Sequence, residues 1–140
     1  MKKLLVTGLL LFHTLLFSET ALTNKIDYVT YEDALKIANE DNKTIMIKMT
    51  AEYCGYCQRM DKKVMVEKEV ISALKKDFVS VEIDVDNDEI PLELNRTMTP
   101  TFIFLNKEEE IISQVAGSWG KEDFLDILDS AIKKSKGEEK

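Results

Sequence analysis

The chain has 140 residues, of which 44% are hydrophobic and 32% charged, a length and composition typical of one folded domain and not of a disordered protein. Its formal net charge of −7 leaves no basic surface for nucleic acid and no polybasic patch for a membrane. His13 is the single histidine, and Cys54 and Cys57 are the two cysteines. If His13 is removed with a leader segment, the mature protein has no histidine, which excludes hydrolase, zinc and haem sites that need one. The two thiols are then the main candidates for chemical activity.

The first segment has the pattern of a secretory signal peptide. Two lysines precede an apolar run over residues 4–17, which is shorter than the roughly 20 apolar residues that span a bilayer. We therefore predict a signal peptide over residues 1–18, a single domain over 19–140 and a periplasmic location. The alternatives are a cleavage near Ala21, a buried N-terminal helix or an uncleaved anchor. Removal of residues 1–18 takes away two lysines and no acids, which leaves a net charge of about −9.

The rest of the chain alternates between helix and strand patterns. Thr30, followed three residues later by Asp33, predicts the start of a helix over 31–41 that ends at Asn42. The other predicted elements are a strand over 44–49, a helical segment over 54–76 with a break at 67–69, a strand over 78–85, a short helix over 90–95, two antiparallel strands over 101–105 and 110–115, and a helix over 121–134. The pattern also allows an edge strand over 26–29. Crossover helices between strands indicate an α/β domain with a central mixed β-sheet flanked by helices.

The residues with an evident chemical role are Cys54-Gly55-Tyr56-Cys57, which follow the strand over 44–49 and begin a helix. Two intervening residues let both sulfurs meet in one helical turn. The N-terminus of a helix offers unpaired N–H groups and a partial positive charge, and both stabilise a thiolate. We predict that Cys54 is the exposed nucleophile, and that Cys57, one turn further in, resolves the mixed disulfide.

The composition limits the other uses of the two cysteines. Two cysteines without histidine cannot complete a four-ligand zinc site in a monomer, and a c-type haem needs histidine where Gln58 stands. An inert structural disulfide in so small a ring would restrict little chain entropy. Linear copper(I) binding by the two thiolates stays open as a non-enzymatic alternative. We predict no metal, and no cofactor beyond the Cys54–Cys57 disulfide itself.

Three stretches of the sequence resemble the thioredoxin superfamily, and together they cover about residues 30–134. They are Ala-Glu-Tyr-Cys-Gly-Tyr-Cys at 51–57, Thr99-Pro100 before the strand over 101–105, and Val-Ala-Gly at 115–117. The resemblance implies a thioredoxin fold, dithiol–disulfide oxidoreductase activity, and a cis peptide bond before Pro100. It also implies that Thr99 and Pro100 position an extended substrate strand beside the cysteines. The sequence also resembles periplasmic thioredoxin-like proteins and the C-terminal domain of the transmembrane reductase that serves them.

Three residues are candidates for tuning the redox chemistry. Gly55 and Tyr56, with Thr99 before the proline, resemble the periplasmic disulfide isomerases, although this chain is expected to lack the separate dimerisation domain of those enzymes. Lys48 stands six residues before the first cysteine, where the family usually has a buried acid. Its ammonium group either lies near the thiols, favouring thiolates and raising the reduction potential, or extends to solvent.

These observations predict a periplasmic thiol–disulfide oxidoreductase that reduces disulfides of exported proteins. Its electrons would come from a membrane thiol carrier, and the protein would act as a monomer. Neither nucleic acid nor a membrane span after signal cleavage is expected. A disulfide oxidase or isomerase is the alternative within the enzyme class, and a copper(I)-binding thiol chaperone is the alternative outside it.

Overall fold

The computed structural model describes residues 24–95 and 98–137. The predicted signal peptide lies outside the described residues. The elements, in chain order, are α1 (Tyr31–Asp41), β1 (Thr44–Thr50), α2 (Gly55–Lys63), α3 (Lys68–Asp77), β2 (Phe78–Asp84), a 3₁₀ turn (Pro91–Glu93), β3 (Thr101–Leu105), β4 (Ile111–Ala116) and α4 (Lys121–Ser135). None of the helices in these two ranges is long and apolar enough to cross a membrane.

Helix α1 has the predicted bounds because both of its ends are set by local chemistry. The Thr30 hydroxyl oxygen accepts a hydrogen bond from the N–H of Asp33 at 3.2 Å, which satisfies one free N–H group of the first turn. At the other end, Asn42 adopts the left-handed conformation with φ 52°, and its N–H donates to the carbonyl of Ala38.

Replacing Thr30 with alanine is expected to lower the free energy of unfolding by about 1 kcal/mol, because the first turn of α1 loses its side-chain acceptor. The midpoint of urea unfolding measures this change. Ser72→Ala, at an exposed position inside α3, serves as the control and should leave the midpoint nearly unchanged. An equal midpoint for Thr30→Ala and the control would contradict the capping role.

The sheet has the strand order β2-β1-β3-β4. Strand β1 is central, pairing in parallel with β2 and antiparallel with β3, while β4 pairs antiparallel with β3. Six of the seven β1 residues are buried, as expected for a strand covered on both faces. The predicted mixed sheet is confirmed. The segment at 26–29 makes only an isolated bridge, between Tyr28 and Ser80.

Two apolar layers fill the space on the two faces of the sheet. On one face, side chains of β1 and β3 pack against α2, α3 and α4, and the rings of Phe102 and Phe124 lie 4.7 Å apart. On the other face, alternate residues of the same strands pack against Ala34 and Ala38 of α1. Because β1 is held from both sides, the segment that follows its carboxyl end is firmly placed.

Two predicted helices differ from the structure. The helical segment over 54–76 is divided into α2 and α3 by Val64 and its neighbours, slightly earlier than the predicted break at 67–69. The predicted helix over 90–95 is only the three-residue turn Pro91–Glu93. It does not extend because Leu92 adopts a left-handed conformation with φ 57°, which interrupts helical hydrogen bonding.

Candidate active site

The two cysteines lie where the central strand passes into α2. Strand β1 ends at Thr50, and after a short turn Cys54 becomes the N-cap residue of α2. The sulfurs of Cys54 and Cys57 form a disulfide with an S–S distance of 2.02 Å. Cys54 is 8% exposed and Cys57 2%. Both residues are thus buried in the disulfide form; Cys54, predicted to be exposed, is only slightly more accessible than Cys57.

The start of α2 directs a hydrogen-bond donor at the sulfur of Cys54. The N–H of Cys57 donates to Cys54 Sγ at 3.1 Å, and this contact is the side-chain cap of the helix. When the pair is reduced, the same N–H and the positive end of the helix dipole would stabilise a thiolate on Cys54. The geometry thus suits Cys54 for nucleophilic attack.

The loop before β3 contains the second predicted part of the site. The Thr99–Pro100 peptide bond is cis. Pro100 is buried, and its carbonyl accepts a hydrogen bond from the N–H of Gly117 at 2.8 Å. The hydroxyl of Thr101 donates to the carbonyl of Met98 at 2.7 Å and fixes the other side of the loop. Thr99 itself is half-buried.

Contacts between α2 and the loop after β4 join these two parts. Arg59 Nε donates to Ser118 Oγ at 3.2 Å, and the N–H of Trp119 donates to Met60 Sδ at 3.2 Å. Since Gly117 in the same loop bonds to Pro100, the cysteine helix and the Thr99-Pro100 loop are held by one short chain of contacts. Gly117 has φ 103°, a conformation that side chains rarely adopt, which explains why glycine stands there.

Exposed apolar side chains belong to these same segments. Tyr53 is 92% exposed and Tyr56 64%, and they flank Cys54 in the sequence. Met98 on the proline loop is 55% exposed. The guanidinium of Arg59 lies 5.4 Å from the ring centroid of Tyr56 and orients that ring. Exposed apolar groups on the segments that carry the cysteines and the proline suit contact with an unfolded or extended polypeptide.

Lys48 does not extend to solvent. Its side chain is 1% exposed, and its ammonium group donates to Asp61 Oδ1 of α2 and, at 2.5 Å, to Glu82 Oε2 of β2. The Tyr28 ring lies 5.8 Å from the same ammonium. Burial, followed by the negative charges of Glu82 and Asp61, raises the pKa of the Tyr28 phenol above its ordinary value.

The sequence did not identify Asp61, Glu82 or Arg59 as part of the site. Their partners lie 13, 34 and 59 residues away along the chain, so no local pattern reveals the contacts. Gly55, named as a tuning candidate, is the first residue of α2, and a Cβ added there would meet no atom within 4 Å. In the part of the chain that the structure describes, no three His, Cys, Asp or Glu side chains are grouped to hold a metal ion.

Comparison with known proteins places this geometry in a family. The family model described as thioredoxin-like matches residues 26–107. The chain belongs to this thioredoxin-like family. It is 30% identical to thioredoxin H5 of Oryza sativa subsp. japonica over 103 residues, which cover 73% of each chain.

Solved structures agree with the family assignment. A thioredoxin from Thermus thermophilus shares 27% identity with a TM-score of 0.71, and the match covers 79% of this chain and 90% of that one. The C-terminal domain of DsbD from Neisseria meningitidis shares 15% identity with a TM-score of 0.59, covering 71% and 92%. At 15% identity, the likeness to the DsbD domain shows a shared fold and nothing more.

The predicted thioredoxin fold and enzyme class are confirmed. The family match, the thioredoxin fold and the Cys54–Cys57 disulfide at the start of α2 together support a thiol–disulfide oxidoreductase.

Proposed function

We propose that this thioredoxin-like protein works in the periplasm, where it reduces disulfides of other exported proteins. The observation that carries the proposal is the place of Cys54 at the N-cap of α2, with the N–H of Cys57 directed at its sulfur. This arrangement favours a thiolate on Cys54, the slightly more accessible of the two cysteines. The lysine-initiated apolar run at the N-terminus supports export.

In the proposed reaction, the Cys54 thiolate attacks one sulfur of a substrate disulfide. A Cys54–substrate disulfide forms, and the other substrate sulfur leaves as a thiolate that takes up a proton. Cys57 then loses its proton and attacks Cys54 Sγ, which releases the second substrate thiol and closes the Cys54–Cys57 disulfide. Two electrons have passed to the substrate. A membrane thiol carrier would return the pair to the reduced form.

Thr99 and Pro100 are proposed to position the substrate. The contacts from α2 through Ser118 and Gly117 hold the proline loop against the cysteine helix, so a strand laid along Thr99 would pass close to Cys54. Pairing through backbone groups reads little of the substrate sequence. Backbone pairing, together with exposed Tyr56 beside the cysteines, suits an enzyme that acts on many exported proteins. The enzyme is proposed to act as a monomer.

The surroundings of Lys48 favour the reducing direction. An unpaired cation beside the thiols would stabilise the reduced pair and raise its potential, as an oxidase requires. Here two carboxylates, Asp61 and Glu82, offset the charge of Lys48. An oxidase or isomerase is the alternative within the enzyme class, and a copper(I)-binding thiol chaperone is the alternative outside it.

The reduction potential of the Cys54–Cys57 pair tests the direction. Equilibration with glutathione redox buffers, followed by alkylation of free thiols, is expected to give a reduction potential of about −270 mV, that of a reductant. The Cys57→Ser variant cannot close the intramolecular disulfide and serves as the blank. A value between about −120 and −180 mV would instead assign an oxidase or isomerase role.

A further inference from the structure

Lys48 is the one charged side chain that is buried among the residues the structure describes. A buried ammonium loses its hydration, and the attraction of its partners offsets only part of the desolvation free energy. Buried ion pairs therefore contribute little to the stability of a fold. Both partners of Lys48 reach solvent, since the side chains of Asp61 and Glu82 are 47% and 38% exposed. This cation in the core therefore calls for an explanation other than the stability of the fold.

The ammonium of Lys48 lies against the helix that carries both cysteines. Asp61, its first partner, stands four residues after Cys57 in α2, and side chains at that spacing are neighbours with Cβ atoms about 5–6 Å apart. Glu82, its second partner, is the residue directly opposite Lys48 in the parallel register of β1 and β2. Asp61 thus links the three charges to the turn of α2 that contains Cys57.

We propose that Lys48, Asp61 and Glu82 form a charge cluster that sets the reduction potential of the Cys54–Cys57 pair. The inference rests on the proposed thiol–disulfide function and deepens it by naming two acidic residues that regulate the site. Asp61 and Glu82 contact Lys48 and are not proposed to contact the substrate or the sulfurs. They act indirectly, through the negative charge that they place beside α2. The cluster has one positive and two negative formal charges, so its net effect is to disfavour thiolates and keep the pair reducing.

Opposite shifts are expected when the two signs of charge are removed. Lys48→Met leaves two carboxylates beside α2, which disfavours the thiolate and lowers the reduction potential. Glu82→Gln leaves a balanced pair, which favours the thiolate and raises the potential. Each change is expected to move the equilibrium constant with glutathione by about tenfold, which equals about 30 mV for this two-electron couple. Asp61→Asn should raise the potential at least as much, because Asp61 is one turn from Cys57.

The double variant Lys48→Met/Glu82→Gln gives the sharpest test. It restores the net charge of the cluster and is expected to bring the equilibrium constant back to within about threefold of the unchanged protein. A merely structural role predicts that the two changes add in the same direction. Matched controls are Lys36→Met and Asp129→Asn, which remove one charge of each sign on the exposed surfaces of α1 and α4.

The full chain is used throughout, with the fold of each variant checked by circular dichroism. Shifts of opposite sign, with return in the double variant, support the charge cluster. Equal shifts in one direction, or shifts no larger than those of the controls, overturn it. If Lys48→Met does not fold, Glu82→Gln and Asp61→Asn decide by the sign of their shifts, and an unchanged or lowered potential overturns the inference. The glutathione equilibrium needs no protein substrate. A failure to reduce protein disulfides would therefore refute the proposed function, while the shifts in the glutathione equilibrium would still test the charge cluster.

Discussion

Cys54→Ala is expected to lose disulfide reduction by at least about 10³-fold, to the rate of uncatalysed exchange, because the variant lacks the sulfur that attacks the substrate. Reduction of insulin disulfides by dithiothreitol, followed by turbidity, measures the loss. The fold should persist, since the disulfide closes a very short loop and the variant loses only the side-chain cap of α2, while the Cys54 carbonyl still accepts from the N–H of Gln58.

Ser72→Ala is the control for this loss, because it removes a hydroxyl from an exposed helix position and should keep full activity. Activity of Cys54→Ala within about tenfold of the unchanged protein would contradict the assignment of the nucleophile. If Cys54→Ala and Cys57→Ala both kept full activity, neither thiol would take part in the reaction.

The double variant Asp61→Asn/Glu82→Gln is expected to lower the free energy of unfolding by about 3–5 kcal/mol. The ammonium of Lys48 stays buried in that variant, with a side chain only 1% exposed, while both charges that compensate it are gone. An uncompensated charge in the core is among the few changes that cost this much. Urea unfolding at neutral pH measures the difference.

Lys48→Met is the matched control for the stability effect. It leaves Asp61 and Glu82 without their partner, but each of these carboxylates is partly exposed and can be hydrated. The apolar side chain then fills the buried space, so the loss of stability should be smaller than in the double variant. A larger loss in Lys48→Met than in the double variant would contradict this account of the cluster.

Local signals explain which parts of the fold could be predicted. Helix α1 was placed correctly because Thr30 and Asn42 terminate it through contacts within four residues. The start of α2 at Cys54 follows in the same way from the strand before it and the spacing of the cysteines. The turn at Pro91–Glu93 was predicted as a longer helix because the left-handed conformation of Leu92 is not visible in an apolar pattern.

The parts of the site that escaped prediction depend on tertiary placement. The sequence left two positions open for the Lys48 ammonium, and the choice depends on Asp61 and Glu82, which reach it only after α2 and β2 have packed on β1. The contact between Arg59 and Ser118 joins residues 59 positions apart. Periodicity identifies the buried face of a strand, but not which charged side chain on a neighbouring element will meet a residue there.

Trapping of mixed disulfides tests the central claim most directly. Cys54→Ala and Cys57→Ala would each be incubated with oxidised protein substrates, quenched with acid, alkylated and separated on non-reducing gels. The account predicts that covalent protein–substrate disulfides accumulate in Cys57→Ala, because Cys54 attacks and nothing resolves the product, and that Cys54→Ala gives none. Accumulation in neither variant would contradict a thiol–disulfide function and favour a copper(I)-binding or other non-enzymatic role. Accumulation only in Cys54→Ala would reverse the assigned roles of the two sulfurs.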